Sequence, residues 1–126
     1  MSITIEWDNP EKTITRWTFD GAWDWNDYGA VKVGFDDMLR EVDHMVGVIV
    51  DMRRSPTLPK NSFAKFKSFT RTTPPNRGLM VFVGTNMLVR VTAEALGKAF
   101  KEFAQYIAFA DSIEDARQML AVPEPA

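Results

Sequence analysis

Cysteine and histidine, two residue types that often carry nucleophilic or metal-assisted chemistry, are nearly absent from this chain of 126 residues. It contains no cysteine, which excludes disulfides, thiolate zinc sites and a cysteine nucleophile. Its one histidine, His44, lies between a predicted helix end and a predicted strand, where it suits the negative end of the helix dipole. The glycine-rich phosphate loops and the G-x-S-x-G nucleophile elbow are also missing. We therefore predict that the protein is not an enzyme and has no catalytic residue and no cofactor.

Two pairs of aspartates have a spacing that could in principle serve a metal ion. Asp24 with Asp27, and Asp36 with Asp37, lie at the start and in the middle of one predicted helix. Solvation on the helix surface explains both pairs, and the spacing places no further oxygen ligand beside them. The sequence therefore predicts no metal site.

Charge is distributed unevenly along the chain, although the formal net charge is only −2. Residues 1–51 carry eleven acids and four bases, whereas residues 52–93 carry eight bases and no acid. Two explanations stay open. The acidic first third could fold beside the basic middle, or the middle could form a basic face for an anionic partner or a membrane surface.

Asp51 ends a predicted buried strand, and the loop after it carries Arg53, Arg54 and Ser55. Ligand sites in α/β domains lie at the carboxyl edge of a parallel sheet. Paired guanidinium groups there could hold a phosphate or a carboxylate. The alternative is that Asp51 caps loop amides and pairs with one of the two arginines.

A short helix predicted from residue 61 or 62 to about residue 70 is amphipathic. Its aromatic side is formed by Phe63, Phe66 and Phe69. The rest of its surface has no carboxylate and is formed by Lys65, Lys67 and Arg71. The phenylalanines could pack in the core, the helix could dock on a membrane, or an apolar ligand could lie between the helix and the sheet.

All four tryptophans lie within the first 25 residues. If Trp7 and Trp17 occupy a sheet face without helices, that face would be aromatic and partly exposed, as partner surfaces often are. The alternative is cross-strand packing that the tail or a dimer mate covers.

Hydrophobic patterning predicts the elements that position these residues. Alternation predicts a hairpin of strands at 3–7 and 13–19, and apolar runs predict buried strands at 45–50 and 79–83. Asp24 and Ser112 are predicted helix N-caps, and further helices are expected near 61–70 and 88–104. Helices between strands predict an α/β domain over residues 1–121, with a mixed, mostly parallel five-stranded sheet, an antiparallel edge strand and helices mainly on one face. Residues 122–126 form a frayed tail.

This layout resembles the SpoIIAA-like group, the STAS domains, and their lipid-binding CRAL-TRIO-like neighbours. The resemblance covers about residues 3–120 and rests on the hairpin, on the strand His-Met-Val-Gly-Val-Ile-Val-Asp at 44–51, and on Phe-Ala-Asp-Ser-Ile-Glu-Asp-Ala-Arg-Gln-Met-Leu at 109–120. It implies a superhelix of βα turns and a non-enzymatic role in binding protein partners. In the anti-sigma antagonists of this group, a phosphorylated serine begins the helix after the third strand. Ser62 is the nearest match, in a segment that lacks the family's aspartate and glycine.

We expect a cytoplasmic regulatory module that binds a protein partner through the carboxyl edge of the sheet and the basic helix. The predicted contact residues are Asp51, Arg53, Arg54, Ser55, Ser62, Lys65, Lys67 and Arg71. The alternative function is binding of a lipid-like or other apolar ligand under the helix that carries Phe63, Phe66 and Phe69. A homodimer stays open, and we expect no nucleic-acid partner. The first residues show no basic and then apolar pattern, from which we expect no secretion signal, and the longest apolar run is too short to span a bilayer.

Overall fold

Every strand of the sheet lies next to the strand that precedes it in the sequence. The computed structural model describes residues 2–55, 59–61, 64–65, 68–69, 71–85, 90–91, 94–95, 98 and 106–121, and these contain one five-stranded sheet. The strands are β1 (Ile3–Trp7), β2 (Ile14–Asp20), β3 (Val46–Arg54), β4 (Arg77–Val83) and β5 (Ile107–Ala110). β1 pairs antiparallel with β2, and all later neighbours pair in parallel. The predicted α/β class, with its mixed sheet and antiparallel edge strand, is confirmed.

Two helices have both ends within the described residues, α1 (Trp25–Arg40) and α2 (Ile113–Ala121). Residues 64–65 and 68–69 are also helical, as are 90–91, 94–95 and 98, in the two stretches where the sequence predicts further helices. Residues 122–126 lie outside the described part. Within that part, no helix has the length and apolar character needed to cross a membrane.

Asp24 begins α1 as predicted, through a reciprocal capping box with Asp27. The Asp24 carboxylate accepts from the Asp27 backbone N–H at 2.8 Å, and the Asp27 carboxylate accepts from the Asp24 N–H at 3.0 Å. Both bonds satisfy backbone donors that a helix start leaves unpaired. The buried side of α1 then runs through Lys32, Phe35 and Leu39.

The two faces of the sheet are covered by different helices. The face beneath α1, here called the α1 face, is built around Trp17, Val48, Val50, Met80 and Phe82. The opposite α2 face is built around Ile14, Ile49, Val81, Val83 and Ala116. Gly47 allows α2 to sit directly on β3, because a Cβ there would lie 2.7 Å from Leu120 Cδ2.

The predicted end of β3 is wrong, and the condition for an exposed aromatic face is not met. β3 does not end at Asp51, because its pairing with β2 continues to Arg54, which lies opposite Asp20. Trp7 and Trp17 share a sheet face, but α1 covers it. The ring centroid of Trp17 lies 5.3 Å from that of Phe35.

Candidate functional site

Asp51 is buried within β3 and is engaged by Arg53 two residues later. Arg53 Nε and Nη2 each donate to the Asp51 carboxylate at 2.9 Å, and the Arg53 backbone N–H donates at 3.1 Å. Burial alone would raise the pKa of Asp51. The hydrogen bonds and the positive charge of Arg53, with a smaller contribution from Arg16, outweigh it and hold that pKa below its usual range. Asp51 therefore forms the internal pair that the sequence left open as an alternative.

The next two predicted contact residues are also bonded within the chain. Arg54 Nη1 lies 3.4 Å from the Asp20 carboxylate, and Ser55 Oγ donates to the Gly21 carbonyl at 2.6 Å. Gly84 closes the neighbouring strand end with φ of +78°, where a Cβ would lie 2.5 Å from the Arg53 side chain. The carboxyl edge is thus tied together by these contacts, while the Arg53 and Arg54 side chains stay largely exposed.

The predicted basic helix is described in part. Lys65 and Arg71 are exposed, and neither forms an ion pair with another described residue. Ser62 and Lys67, together with Phe63 and Phe66, lie outside the described residues. Phe69 packs against α1, with its ring centroid 4.8 Å from that of Tyr28 and its edge beside Gly29.

A cavity lies between α1, Phe69 and the sheet. Its volume is about 40 Å³, which is room for about three water molecules. Trp17, Val50 and Met80 from three neighbouring strands form its floor, and Phe35 and Phe69 border it on the helical side. Aromatic and aliphatic side chains thus make most of the lining, as in small-molecule pockets generally.

Lys32 is the first of two cations at this cavity, and its charge is compensated. The side chain is buried, and its amine donates to both carboxylate oxygens of Asp36, at 2.9 and 3.2 Å. The third donor reaches Thr72 Oγ1 at 3.1 Å. All three N–H groups of the ammonium therefore have acceptors, and Asp36 serves as its counter-ion.

Arg77 is the second cation, and no carboxylate compensates it among the described residues. Its Nε is buried without a hydrogen-bond partner, and the guanidinium carbon lies 5.1 Å from the centre of the Tyr106 ring. Burial lowers the pKa of Arg77, and the neighbouring phenols of Tyr28 and Tyr106 only partly oppose this. Burial also raises the pKa of Tyr28, so that phenol stays neutral.

An irregularity in β4 brings Arg77 to the α1 face. Val46 pairs with Arg77 and Val48 pairs with Met80, so β4 has one residue more than β3 between these pairs. An extra residue reverses the alternation of side chains. In a regular strand, residues three positions apart point to opposite faces. Because of the extra residue, Arg77 and Met80 both line the cavity.

The remaining sequence candidates have structural roles. His44 Nε2 donates to the Lys12 carbonyl at 2.8 Å, which joins the start of β3 to the hairpin turn. The four aspartates of α1 include two that form the capping box and one that binds Lys32. Among the described residues, no cluster of three or more histidine, aspartate or glutamate side chains could hold a metal ion.

Sequence analysis did not single out Lys32 or Arg77 as site residues. Lys32 lies in line with the apolar stripe of α1, one turn from Phe35, and a charge in that position was a detectable signal. Gly78 directly after Arg77 was a second signal, because a glycine inside a strand often marks a bulge.

Comparison with protein-family models gave no match, and comparison with the curated proteins gave none either. The resemblance to the STAS and SpoIIAA-like domains stays a prediction from the layout of the chain. Function is therefore inferred from the residues around the cavity and along the basic segment.

Proposed function

We propose that this protein binds a small, mainly apolar ligand in the cavity between α1, Phe69 and the sheet. The observation that supports the proposal is an apolar cavity inside the α1 face, bordered by two partly or fully buried cations. Protein interiors are close-packed, and voids larger than a water molecule are few. A void at this position, lined by rings and a few polar groups, has the composition of a ligand pocket.

The shape of the ligand follows from the small size of the cavity. Because its 40 Å³ holds only a few atoms, a longer ligand must displace lining side chains. Met52 and Met80 both line it, and methionine is the apolar side chain that repacks most easily. A straight alkyl chain has a narrow cross-section and requires the least displacement. We therefore propose a lipid-like chain rather than a bulky ring system.

Methyl NMR tests this proposal directly. Protein labelled with ¹³C at the methionine methyl groups is titrated with straight-chain alcohols of increasing length, which carry no charge. The resonances of Met52 and Met80 should shift and saturate, whereas those of the exposed Met45 and Met119 should not.

Two matched variants complete the experiment. Val50→Phe fills the cavity and should abolish the shifts, whereas Val33→Phe on the exposed side of α1 should leave them unchanged. Absence of saturable shifts in the wild-type protein, or equal shifts in Val50→Phe, would show that the cavity is not a ligand site.

A second candidate function is the predicted binding of a protein partner by a cytoplasmic regulatory module. The observation that favours it is the exposure of Lys60, Lys65 and Arg71, which form no ion pair with another described residue in a segment without carboxylates. Changing all three to glutamate should abolish the capture of an acidic partner, with Arg40→Glu on α1 as the control. The same partners captured by both variants would contradict this candidate.

A further inference from the structure

We propose that the ligand of the cavity is a monocarboxylate with an alkyl tail, and that Arg77 binds its head group. This inference rests on the proposed function and specifies the chemical class of the ligand. It is carried by the contrast between the two cations of the cavity. Lys32 is fully paired with Asp36 and Thr72, whereas the buried Nε–H of Arg77 has no acceptor in the part of the chain that the structure describes.

The charges of the described residues at the cavity favour a ligand with one negative charge. Arg77 is partly buried and its Nε is fully buried, and a cation that has lost part of its water without gaining an opposite charge is unfavourable. Once Asp36 has compensated Lys32, Arg77 is the cation at this cavity that no carboxylate among the described residues compensates. An anion with one charge would compensate it and would supply the missing acceptor for Nε.

Arg16 provides an internal comparison. Its Nε is also buried without an acceptor, but its two other nitrogens contact Glu6 at 2.8 Å and Asp8 at 3.4 Å. Arg16 therefore has counter-ions and does not line this cavity, whereas Arg77 lines it and has no carboxylate among the described residues. Only the second arrangement leaves a place for an external anion with an apolar body.

The head group is more consistent with a carboxylate than with a phosphate monoester. A planar guanidinium matches the two oxygens of a carboxylate, and the Tyr106 ring, whose centre lies 5.1 Å from the guanidinium carbon, holds Arg77 by a cation–π contact. A phosphate monoester carries a charge of about −1.5 to −2 at neutral pH. It would need a second uncompensated cation, and the nearby Lys32 is already paired.

The test compares head groups on one alkyl chain at neutral pH. Octanoate, octanol, octyl phosphate and octylammonium are titrated into the full chain, and the methyl resonances of Met52 and Met80 report binding. Octanoate should bind at least about tenfold more tightly than octanol, because a hydrogen bond to a charged group is the stronger kind. Octyl phosphate should bind more weakly than octanoate, and octylammonium should not bind.

Variants of Arg77 connect this preference to the residue. Arg77→Met should remove the preference, so that octanoate binds this variant no more tightly than octanol does. Arg77→Lys keeps the charge without the planar fork and should retain only part of the preference. Arg40→Met on the exposed side of α1 serves as the control and should keep all of it.

The outcomes separate the two proposals. Equal affinity for octanoate and octanol would overturn the carboxylate assignment but would still support an apolar ligand site. Tighter binding of octyl phosphate or octylammonium than of octanoate would overturn it as well. A preference for octanoate that survives in Arg77→Met would exclude Arg77 as its source. No binding of any of the four compounds would overturn both proposals.

Discussion

The two faces of the sheet are packed from different kinds of side chain. On the α1 face, large rings meet in tilted and edge-on pairs, such as Trp17 with Phe35 and Phe19 with Trp23. On the α2 face, Ile49, Val81 and Ala116 are fully buried in a cluster of small aliphatic groups. Large rigid rings adapt less easily to an irregular space than small branched side chains do, so gaps are more readily left between them. The cavity lies on the aromatic face.

The two sides of the sheet also differ in whether their arginines have a carboxylate partner. On the α2 side, Arg117 Nε and Nη2 donate to the two carboxylate oxygens of Asp8 at 2.8 and 3.0 Å. On the α1 side, Arg77 has no carboxylate among the described residues. Among the described residues, the α2 side thus pairs Arg117 with a carboxylate, whereas the α1 side has a cavity and an arginine without a carboxylate. The proposed ligand site lies on the α1 face.

The largest expected effect comes from enlarging one valine on each face. Val81→Phe should lower the free energy of unfolding by about 3 kcal/mol, because a larger side chain at this fully buried position forces its neighbours out of place. Val50→Phe should cost less than about 1 kcal/mol, because its ring can enter the cavity. Urea unfolding of the two variants measures both values. Equal costs would mean that the α1 face is as tightly packed as the α2 face.

Removal of the Asp8 carboxylate should have the next largest effect. Its side chain is 3% exposed and pairs with both Arg117 and Arg16, so Asp8→Ala removes a carboxylate from two arginines at once. Because Arg117 is partly exposed and can turn toward water, we expect a loss of about 2 kcal/mol, below the range for fully buried pairs. Asp37→Ala, which breaks an exposed pair with Arg40, should cost under about 0.5 kcal/mol. If Asp8→Ala lowers the free energy of unfolding as little as this control does, the pairing of Asp8 does not stabilise the fold.

Substitution of an arginine on each face should change stability in opposite directions. Arg77→Met removes an uncompensated cation and should raise the unliganded protein's free energy of unfolding by about 1 kcal/mol. The gain is limited by loss of the contact with Tyr106. Arg117→Met should lower the same quantity by about 1 kcal/mol, since it breaks the bidentate pair with Asp8. Thermal denaturation without ligand compares the two, and destabilisation by Arg77→Met would indicate that the chain already compensates Arg77.

The smallest effect concerns pH and Asp51, which projects on the α2 side. Since its pKa is lower in the folded chain than in the unfolded chain, the ionised carboxylate stabilises the fold. That contribution is complete above about pH 4 and is lost as the pH falls through the folded-state pKa. Urea midpoints of the wild type and Asp51→Asn should therefore differ at pH 7, and the difference should shrink as the pH falls below the unfolded-state pKa. A constant difference across this range would mean that the charge of Asp51 is not responsible.

Features that depend on neighbouring residues in the sequence could be predicted. The hairpin follows from alternation, and Asp24 and Ser112 were recognisable as caps because capping requires only the residues beside them. The end of β3 was predicted too early because Met52, Arg53 and Arg54 show no apolar run. Pairing with the distant Asp20 decides where that strand ends.

The site was less predictable because its key residues owe their burial to distant contacts. Phe69 was already part of the predicted ligand-binding alternative, and the structure places it at the cavity. Lys32 and Arg77 entered the sequence analysis only in the totals of basic residues, with no role at a site. Burial of Lys32 depends on Thr72, forty residues away, and the direction of Arg77 depends on the extra residue in β4. Neither condition is visible in a local pattern.

The pair between Asp8 and Arg117 also has a consequence for the order of assembly during synthesis. Because each strand lies beside the preceding one, a chain emerging from the ribosome can add β2, β3, β4 and β5 in turn. The apolar side chains around Ile49 and Val81 gain their contacts with α2 only after α2 has emerged. The contact between the first turn and the last helix, 109 residues apart, likewise requires α2. A nascent chain stalled before α2 would lack the contacts that α2 makes with the apolar side chains of the α2 face.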